Sequence, residues 1–220
     1  MTHYYPNVFE VADERRAKEI ILTNEGPGAD TEIRWAKETP YVMQLITKAF
    51  ELRSDMVVLD YGCGIGRMAK AMIEATGCSV IGMDISASMR ALAIDYVQSD
   101  RFVAVSPGQF DILVASGLRV HAGIAVWVLQ HCLAPAEDIA RIRDSLRAGA
   151  SLFVLNMLKR AIPVMADVAG QSATFRWRSD GIDVAALLRS TFRIKSEGEP
   201  ADPSVPNMAD AGAFWMSLRI

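Results

Sequence analysis

Residues 57–66 read Val-Val-Leu-Asp-Tyr-Gly-Cys-Gly-Ile-Gly, an apolar run that ends on Asp60 and passes straight into three glycines spaced two apart. A buried strand that must turn at once into a helix needs residues free to take positive φ, and glycine takes it at no steric cost. Eighteen positions after Gly66, a second apolar run over residues 79–83 ends on another acid, Asp84. Strand, glycine turn, helix, strand and terminal acid together form the first half of a nucleotide-binding α/β fold.

Glycine spacing decides between two cofactor classes. A dinucleotide turn reads G-x-G-x-x-G, which seats a pyrophosphate on the positive end of a helix. This chain has Gly62, Gly64 and Gly66, with Arg67 where the third dinucleotide glycine would fall. Asp60 stands immediately before the turn, where it would repel a pyrophosphate. A ligand with positive charge beside its adenosine suits that acid; S-adenosylmethionine, with an α-ammonium, a sulfonium and no phosphate, meets the description. Asp84, at the tip of the second strand, can accept hydrogen bonds from both ribose hydroxyls.

Over residues 55–157 the chain resembles the core of a class I S-adenosylmethionine-dependent methyltransferase of the small-molecule, type 11-like branch. Residues 60–66 match that family's first motif, and Met83-Asp84-Ile85-Ser86 with the following Met89 is similar to its second-strand ending. Trp127-Val128-Leu129-Gln130-His131-Cys132 resembles the fourth-strand ending, and Leu146-Arg147-Ala148-Gly149-Ala150 the turn before strand five. The resemblance implies a doubly wound, mostly parallel seven-stranded Rossmann-like sheet, its last strand antiparallel between the fifth and sixth. It also implies S-adenosylmethionine as cofactor, contacted by Asp60, Tyr61, Gly62, Cys63, Gly64, Gly66, Arg67, Asp84, Ile85, Ser86, Met89, Val128, Leu129 and Gln130. Two departures stand out. The acid that often holds the adenine amino group after the third strand is replaced by Ser106 and Pro107, and Ala148 and Ala150 stand in for a proline and a glycine around Gly149.

Composition narrows the function classes. At 220 residues the chain suits a single α/β domain, read as a helical cap over 1–54, a cofactor-binding core over 55–157 and a lid with C-terminal strands over 158–220. A hydrophobic fraction of 51% suits a sheet covered on both faces, and a net charge of −3 gives no electrostatic footprint for nucleic acid. No apolar run is long enough to span a membrane, and the opening Met-Thr-His-Tyr-Tyr-Pro lacks the basic and apolar regions of a signal peptide. Cys63, Cys78 and Cys132 form no C-x-x-C pair, so a reduced cytoplasmic protein is expected. No metal is expected, because the three histidines are scattered and the fourth-strand ending has no aspartate pair.

The hydrophobic pattern predicts helices over 8–22 and 40–52 ahead of the first strand at 57–60. Beyond it come helix 67–76, strand 79–84, helix 89–97, strand 102–105, helix 109–116, and strands 122–129 and 152–156. Residues 158–181 read as an irregular insertion or lid, followed by helix 182–190, strand 192–196, a surface loop over 198–209 and a last strand at 213–219. Strand and helix alternating in this way argue for a parallel sheet.

Several side chains carry candidate chemistry. His131 follows the fourth strand, where open α/β sheets present bound ligands, and its imidazole can take a proton from an attacking nucleophile. The same Gln130-His131 pair can instead be a structural strand ending. Arg34 can grip a cofactor carboxylate and Trp35 can contact a sulfonium, while Trp35 and Tyr41 also suit core packing. Trp177, between Arg176 and Arg178, can line an acceptor pocket or lie on the surface. His121 is expected at the surface, His3 in a mobile tail, and Cys63 against the following helix. The reading is a methyltransferase acting on a small-molecule acceptor; a non-catalytic protein that binds S-adenosylmethionine or its product, and an NAD-dependent oxidoreductase, are the alternatives. The acceptor and the oligomeric state leave no motif.

Overall fold

A computed structural model describes residues 2–24, 30–166, 173–201 and 212–220. In chain order it contains β1 (Thr2–Tyr4), a 3₁₀ turn (Pro6–Phe9), α1 (Glu14–Ile21), α2 (Thr31–Ala49), β2 (Val57–Tyr61), α3 (Arg67–Thr76), β3 (Ser79–Met83), α4 (Ala87–Val97) and β4 (Phe102–Val105). There follow α5 (Pro107–Ala115), β5 (Val120–Val126), α6 (Pro135–Ser145), β6 (Leu146–Met157), β7 (Ile162–Ala166), β8 (Thr174–Arg178), α7 (Val184–Thr191), β9 (Arg193–Gly198) and β10 (Ala213–Arg219).

Seven strands form the main sheet in the order β4-β3-β2-β5-β6-β10-β9. The pairings from β4 through β6 are parallel, and β10 runs antiparallel to both β6 and β9, as the resemblance implies. Parallel neighbours need crossover connections, and the helices those crossovers supply cover both faces, so the strands read as continuous apolar runs. One face packs Phe110, Ile139, Ile142 and Leu188 from α5, α6 and α7. The other packs Val42 and Ile46 of α2 against Met68 and Met72 of α3. Ile46 is fully buried, so Ile46→Ala would cost about 2–5 kcal/mol, the range for an aliphatic side chain removed from a packed core. Strand order reverses between β2 and β5, which opens a crevice at their carboxyl ends.

The elements depart from the pattern-based reading in several places. The second helix begins at Thr31 rather than 40, capped by the Asp30 carboxylate, which accepts from the Ile33 N–H at 2.9 Å. Pro40 lies inside it, and the Thr39 hydroxyl donates to the Trp35 carbonyl at 2.7 Å just ahead of the proline. A proline normally starts or breaks a helix; tertiary packing overrides that preference here. The first helix is shorter than 8–22, because the 3₁₀ turn and Asp13, which caps α1, interrupt it. Helix α6 went unread in the sequence, although Pro135 at its first turn and Glu137 and Asp138 beside it are helix-start signals.

The described residues of segment 158–181, namely 158–166 and 173–181, are more regular than the composition suggested. Strands β7 and β8 pair as an antiparallel hairpin, and β1 adds to β7 with His3 opposite Met165. His3 is therefore a strand residue and not part of a mobile tail. His121 is half-buried, and its Nδ1 accepts the Val57 N–H at 3.0 Å. Of the expected loop over 198–209, residues 202–209 lie outside the described residues.

Candidate active site

The turn after β2 has no room for side chains. Gly62, Gly64 and Gly66 take φ of +74°, +53° and +80°. A Cβ on Gly62 would sit 2.2 Å from Val128 Cγ2, and one on Gly66 would sit 2.4 Å from Val97 Cγ2. The turn is pinned to β3 by the N–H groups of Gly62 and Cys63, which donate to the Met83 carbonyl at 2.7 and 3.0 Å. Cys63 is buried with its sulfur beside Gly82 of β3, and burial pushes its thiol pKa up, so it is inert as a nucleophile.

Asp84 closes this corner. One carboxylate oxygen accepts from the Gly64 N–H at 2.8 Å, the other from the Ser86 N–H at 2.9 Å. A carboxylate has about four lone-pair sites, so each oxygen keeps capacity for a ligand hydroxyl. Burial pushes its pKa up, while the Ser86 and Gly64 N–H groups pull the other way. Ser86 caps α4 by accepting from the Met89 N–H at 3.0 Å, and so holds Met89 and Ile85 at the mouth of the crevice. Asp60 lies deeper, 3% exposed, with Oδ2 lacking a hydrogen-bond partner; burial raises its pKa to about 7 against the pull of Arg67.

The crevice widens into a cavity of about 660 Å³, a volume typical of small-molecule sites. Tyr61, Gly62, Gly64, Asp84, Ile85 and Met89 line one end, with Arg34 reaching in from α2. Val128, packed against Gly62, leads on to Gln130 and His131, and Tyr4, Phe9 and Trp177 complete the lining. Asp60, Cys63, Gly66, Arg67, Ser86, Leu129 and Trp35 do not face this space, although the sequence pointed to them. Leu129 is fully buried in the core. Arg67 turns to Glu38, and Trp35 donates to the Tyr96 hydroxyl at 3.1 Å.

Glu38 joins the cap to the glycine turn. Fully buried, it pairs with Arg67 at 3.3 Å and Arg34 at 3.1 Å, and accepts from Trp127 Nε1 at 2.7 Å. Trp127 takes φ +56°, a left-handed conformation costly for an aromatic residue, and lines the cavity where β5 ends.

At the far end, His131 Nδ1 lies 2.6 Å from the Ala161 carbonyl oxygen. A carbonyl only accepts, so Nδ1 carries the hydrogen, and the lone pair of the neutral ring sits on Nε2, 3.3 Å from Gln130 Nε2. Burial lowers the imidazole pKa, the Ala161 bond notwithstanding, which keeps the ring neutral at pH 7. The segment that holds it is doubly tied: Ala161 N–H donates to the Gln130 carbonyl at 2.9 Å, and the buried Arg160 donates to the Cys132 carbonyl at 2.6 Å while pairing with Asp180 at 2.9 Å.

Sequence reasoning missed Tyr4, Phe9, Trp127, Asp138 and Arg141. The Tyr61 hydroxyl donates to Asp138, and Arg141 donates to Asp138 at 3.1 Å and to Asp111 at 2.8 Å. Only the helix-start signals of α6 could have brought Asp138 forward; a lone Tyr4 or Phe9 near the N-terminus carries no spacing signal.

A family model described as a methyltransferase domain matches residues 34–185. The chain belongs to the methyltransferase domain family. Its fold is the class I fold, and the cofactor of this class is S-adenosylmethionine. Among solved structures, the S-adenosylmethionine-dependent methyltransferase of Mesorhizobium loti has a TM-score of 0.59 at 18% identity, over 82% of this chain and 98% of that one. A geranyl diphosphate methyltransferase in complex with the cofactor has a TM-score of 0.61 at 12% identity, over 91% and 94%; at such identities the likeness shows the fold. Two curated relatives are similar in sequence. The ubiquinone biosynthesis O-methyltransferase of Thiobacillus denitrificans is 27% identical over 125 residues, 51% of this chain and 49% of that protein. The tRNA U34 carboxymethyltransferase of Methylococcus capsulatus is 32% identical over 97 residues, 43% and 30% of the two chains. The methyltransferase chain thus spans half or less of the length of these relatives.

Proposed function

We propose that this chain transfers the methyl group of S-adenosylmethionine to a small-molecule nucleophile at oxygen, nitrogen, carbon or sulfur. The observation that carries the reading is one cavity lined by Asp84, the glycine turn and His131 together. The residues fit the cofactor. Asp84 offers lone pairs to two ribose hydroxyls, Ile85 and Met89 give apolar faces to the adenine, and Arg34 suits the carboxylate. Gly62 and Gly64 allow the methionine chain to lie on bare backbone. Lying outside the cavity lining, Asp60, Arg67, Ser86 and Trp35 support the site through the turn, the α4 cap and the cap helix. When bound, the cofactor supplies a methyl group already activated by a sulfonium.

What remains for the protein is to align acceptor, methyl carbon and sulfur, and to exclude water. In this reading residues 1–54 form the cap and 158–220 the lid and closing strands of one domain. Although one relative is named for a tRNA substrate, a net charge of −3 and a reacting end beneath rings favour a small acceptor.

The test is incubation with methyl-tritiated S-adenosylmethionine and a panel of small alcohols, phenols, amines, thiols and carbon acids. Protein-dependent label in at least one acceptor is the expected result. Tight binding of cofactor and product with no label in any would replace the enzyme reading by that of a binding protein.

A further inference from the structure

The acceptor end of the cavity has a composition that the methyl-transfer reading does not require. Three rings close it: His131 lies 5.6 Å from Phe9 and 5.2 Å from Trp177, and Phe9 lies 6.3 Å from Trp177, centroid to centroid. Phe175 meets Trp177 edge-on at 5.2 Å and stiffens the cover. Offset and tilted rings of this kind present faces and edges suited to another flat ring beneath them. Phe9 comes from the 3₁₀ turn and Phe175 and Trp177 from β8, so the cover forms only when the lid sheet is in place.

Most charged groups at this end have partners, although Glu137 also lines the cavity and the buried Arg160 Nη1 has no hydrogen-bond partner among the described residues. Arg160, fully buried, is paired with Asp180 and hydrogen-bonded to the Cys132 carbonyl. Arg141 is shared between Asp111 and Asp138, and Asp138 also takes the Tyr61 hydroxyl. An anionic acceptor would find Arg141 engaged and the Glu137 and Asp138 carboxylates in the lining, and an ammonium would find the Asp138 carboxylate already paired with Arg141. His131 Nε2, whose lone pair is fixed by the Nδ1 bond to Ala161, lines the cavity and accepts the Gln130 amide N–H at 3.3 Å, a long bond that a substrate hydroxyl can displace. A neutral imidazole is the base needed by a hydroxyl that is mostly protonated at pH 7 but acidic enough to yield its proton during attack.

Resting on the methyl-transfer reading, we propose that the acceptor is an uncharged, flat aromatic compound bearing a phenolic hydroxyl, methylated on that oxygen. The ring lies under Phe9 and Trp177 with its hydroxyl toward His131. The O–H proton passes to Nε2, the oxygen lone pair forms the new bond to the methyl carbon, and the bond from that carbon to sulfur breaks with its electron pair left on sulfur. The products are the methyl ether and neutral S-adenosylhomocysteine, and the imidazolium returns its proton to water after release.

The experiment compares matched phenols, anilines, thiophenols and benzoic acids of one ring skeleton, with cofactor binding measured separately by calorimetry. The expected result is methylation of the phenols with kcat/KM at least tenfold above that of the other three classes. In addition, His131→Ala should lower turnover of ordinary phenols about 100-fold, the lower end of general-base effects, yet spare 4-nitrophenol assayed at about pH 9, where it is ionised and ordinary phenols are mostly protonated. Trp177→Ala should raise KM for phenols more than it lowers kcat. Transfer to anilines or benzoic acids in preference to phenols overturns the acceptor assignment and leaves methyl transfer standing. Equal loss of phenol and 4-nitrophenol activity in His131→Ala overturns the base role, and failure to bind the cofactor at all removes the parent reading instead.

Discussion

Glu38 Oε1 accepts the Trp127 indole N–H at 2.7 Å, joining the cap helix α2 to the residue that ends β5 in a left-handed conformation. The same carboxylate group pairs with both Arg34 and Arg67, so one side chain settles the cap, the glycine turn and the floor of the cavity.

Removing that carboxylate strands two guanidinium groups in a buried setting. Glu38→Ala should destabilise the fold by about 3–5 kcal/mol, the range for breaking a buried ion pair from one side. Denaturant unfolding measures it. A loss under 1 kcal/mol would mean that the arginines reach water and the cluster is not a closed unit.

Arg160 and Asp180 flank the β7–β8 hairpin, and Arg160 also holds the loop that carries His131. The position of the lid and the position of the imidazole are therefore set by one side chain. Arg160→Lys, which keeps charge but loses the planar fork, should lower kcat about 10- to 100-fold through misplacement. Cofactor affinity, governed at the other end of the cavity, should change less than twofold in calorimetry; a matched fall in both would mark a general structural loss.

Asp60 makes stability depend on pH with an unusual sign. Its folded pKa is raised to about 7 from 3.8, so between those values the folded state binds more protons than the unfolded state and stability falls as pH rises. The penalty is absent below pH 3.8 and complete above pH 7, on the order of 4 kcal/mol at 1.36 kcal/mol per unit. Asp60→Asn, which mimics the protonated acid, should raise Tm at pH 8 and leave it unchanged near pH 4. A pH-independent difference would show that the carboxylate is ionised throughout.

The order of the main sheet was legible because buried parallel strands are continuous apolar runs and the glycine turn is positional. Helix α3 and strand β4 fall where their patterns place them, and β10 takes its place between β6 and β9. The lid was not legible. Strand β8 is short and mostly exposed, β7 is short and holds Pro163, and β1 is three residues paired with a strand 160 or more positions away. Periodicity reports burial on one face of a long element, and these have little of either. The site divides along the same line. Asp84 and Gly62 follow from local turn geometry, whereas Tyr4, Phe9 and Asp138 reach the cavity through tertiary packing, and Arg67, though inside the motif, is drawn off by Glu38.

The central claim is that the crevice between β2 and β5 holds S-adenosylmethionine through Asp84, and calorimetric titration of the wild type and Asp84→Ala with S-adenosylmethionine, S-adenosylhomocysteine and NAD tests it most directly. The account predicts that the wild type binds the first two and not NAD, and that the substitution weakens both by about 1–3 kcal/mol, the cost of a lost buried hydrogen-bond partner. Binding of NAD alone, or affinity unchanged by the substitution, would contradict it.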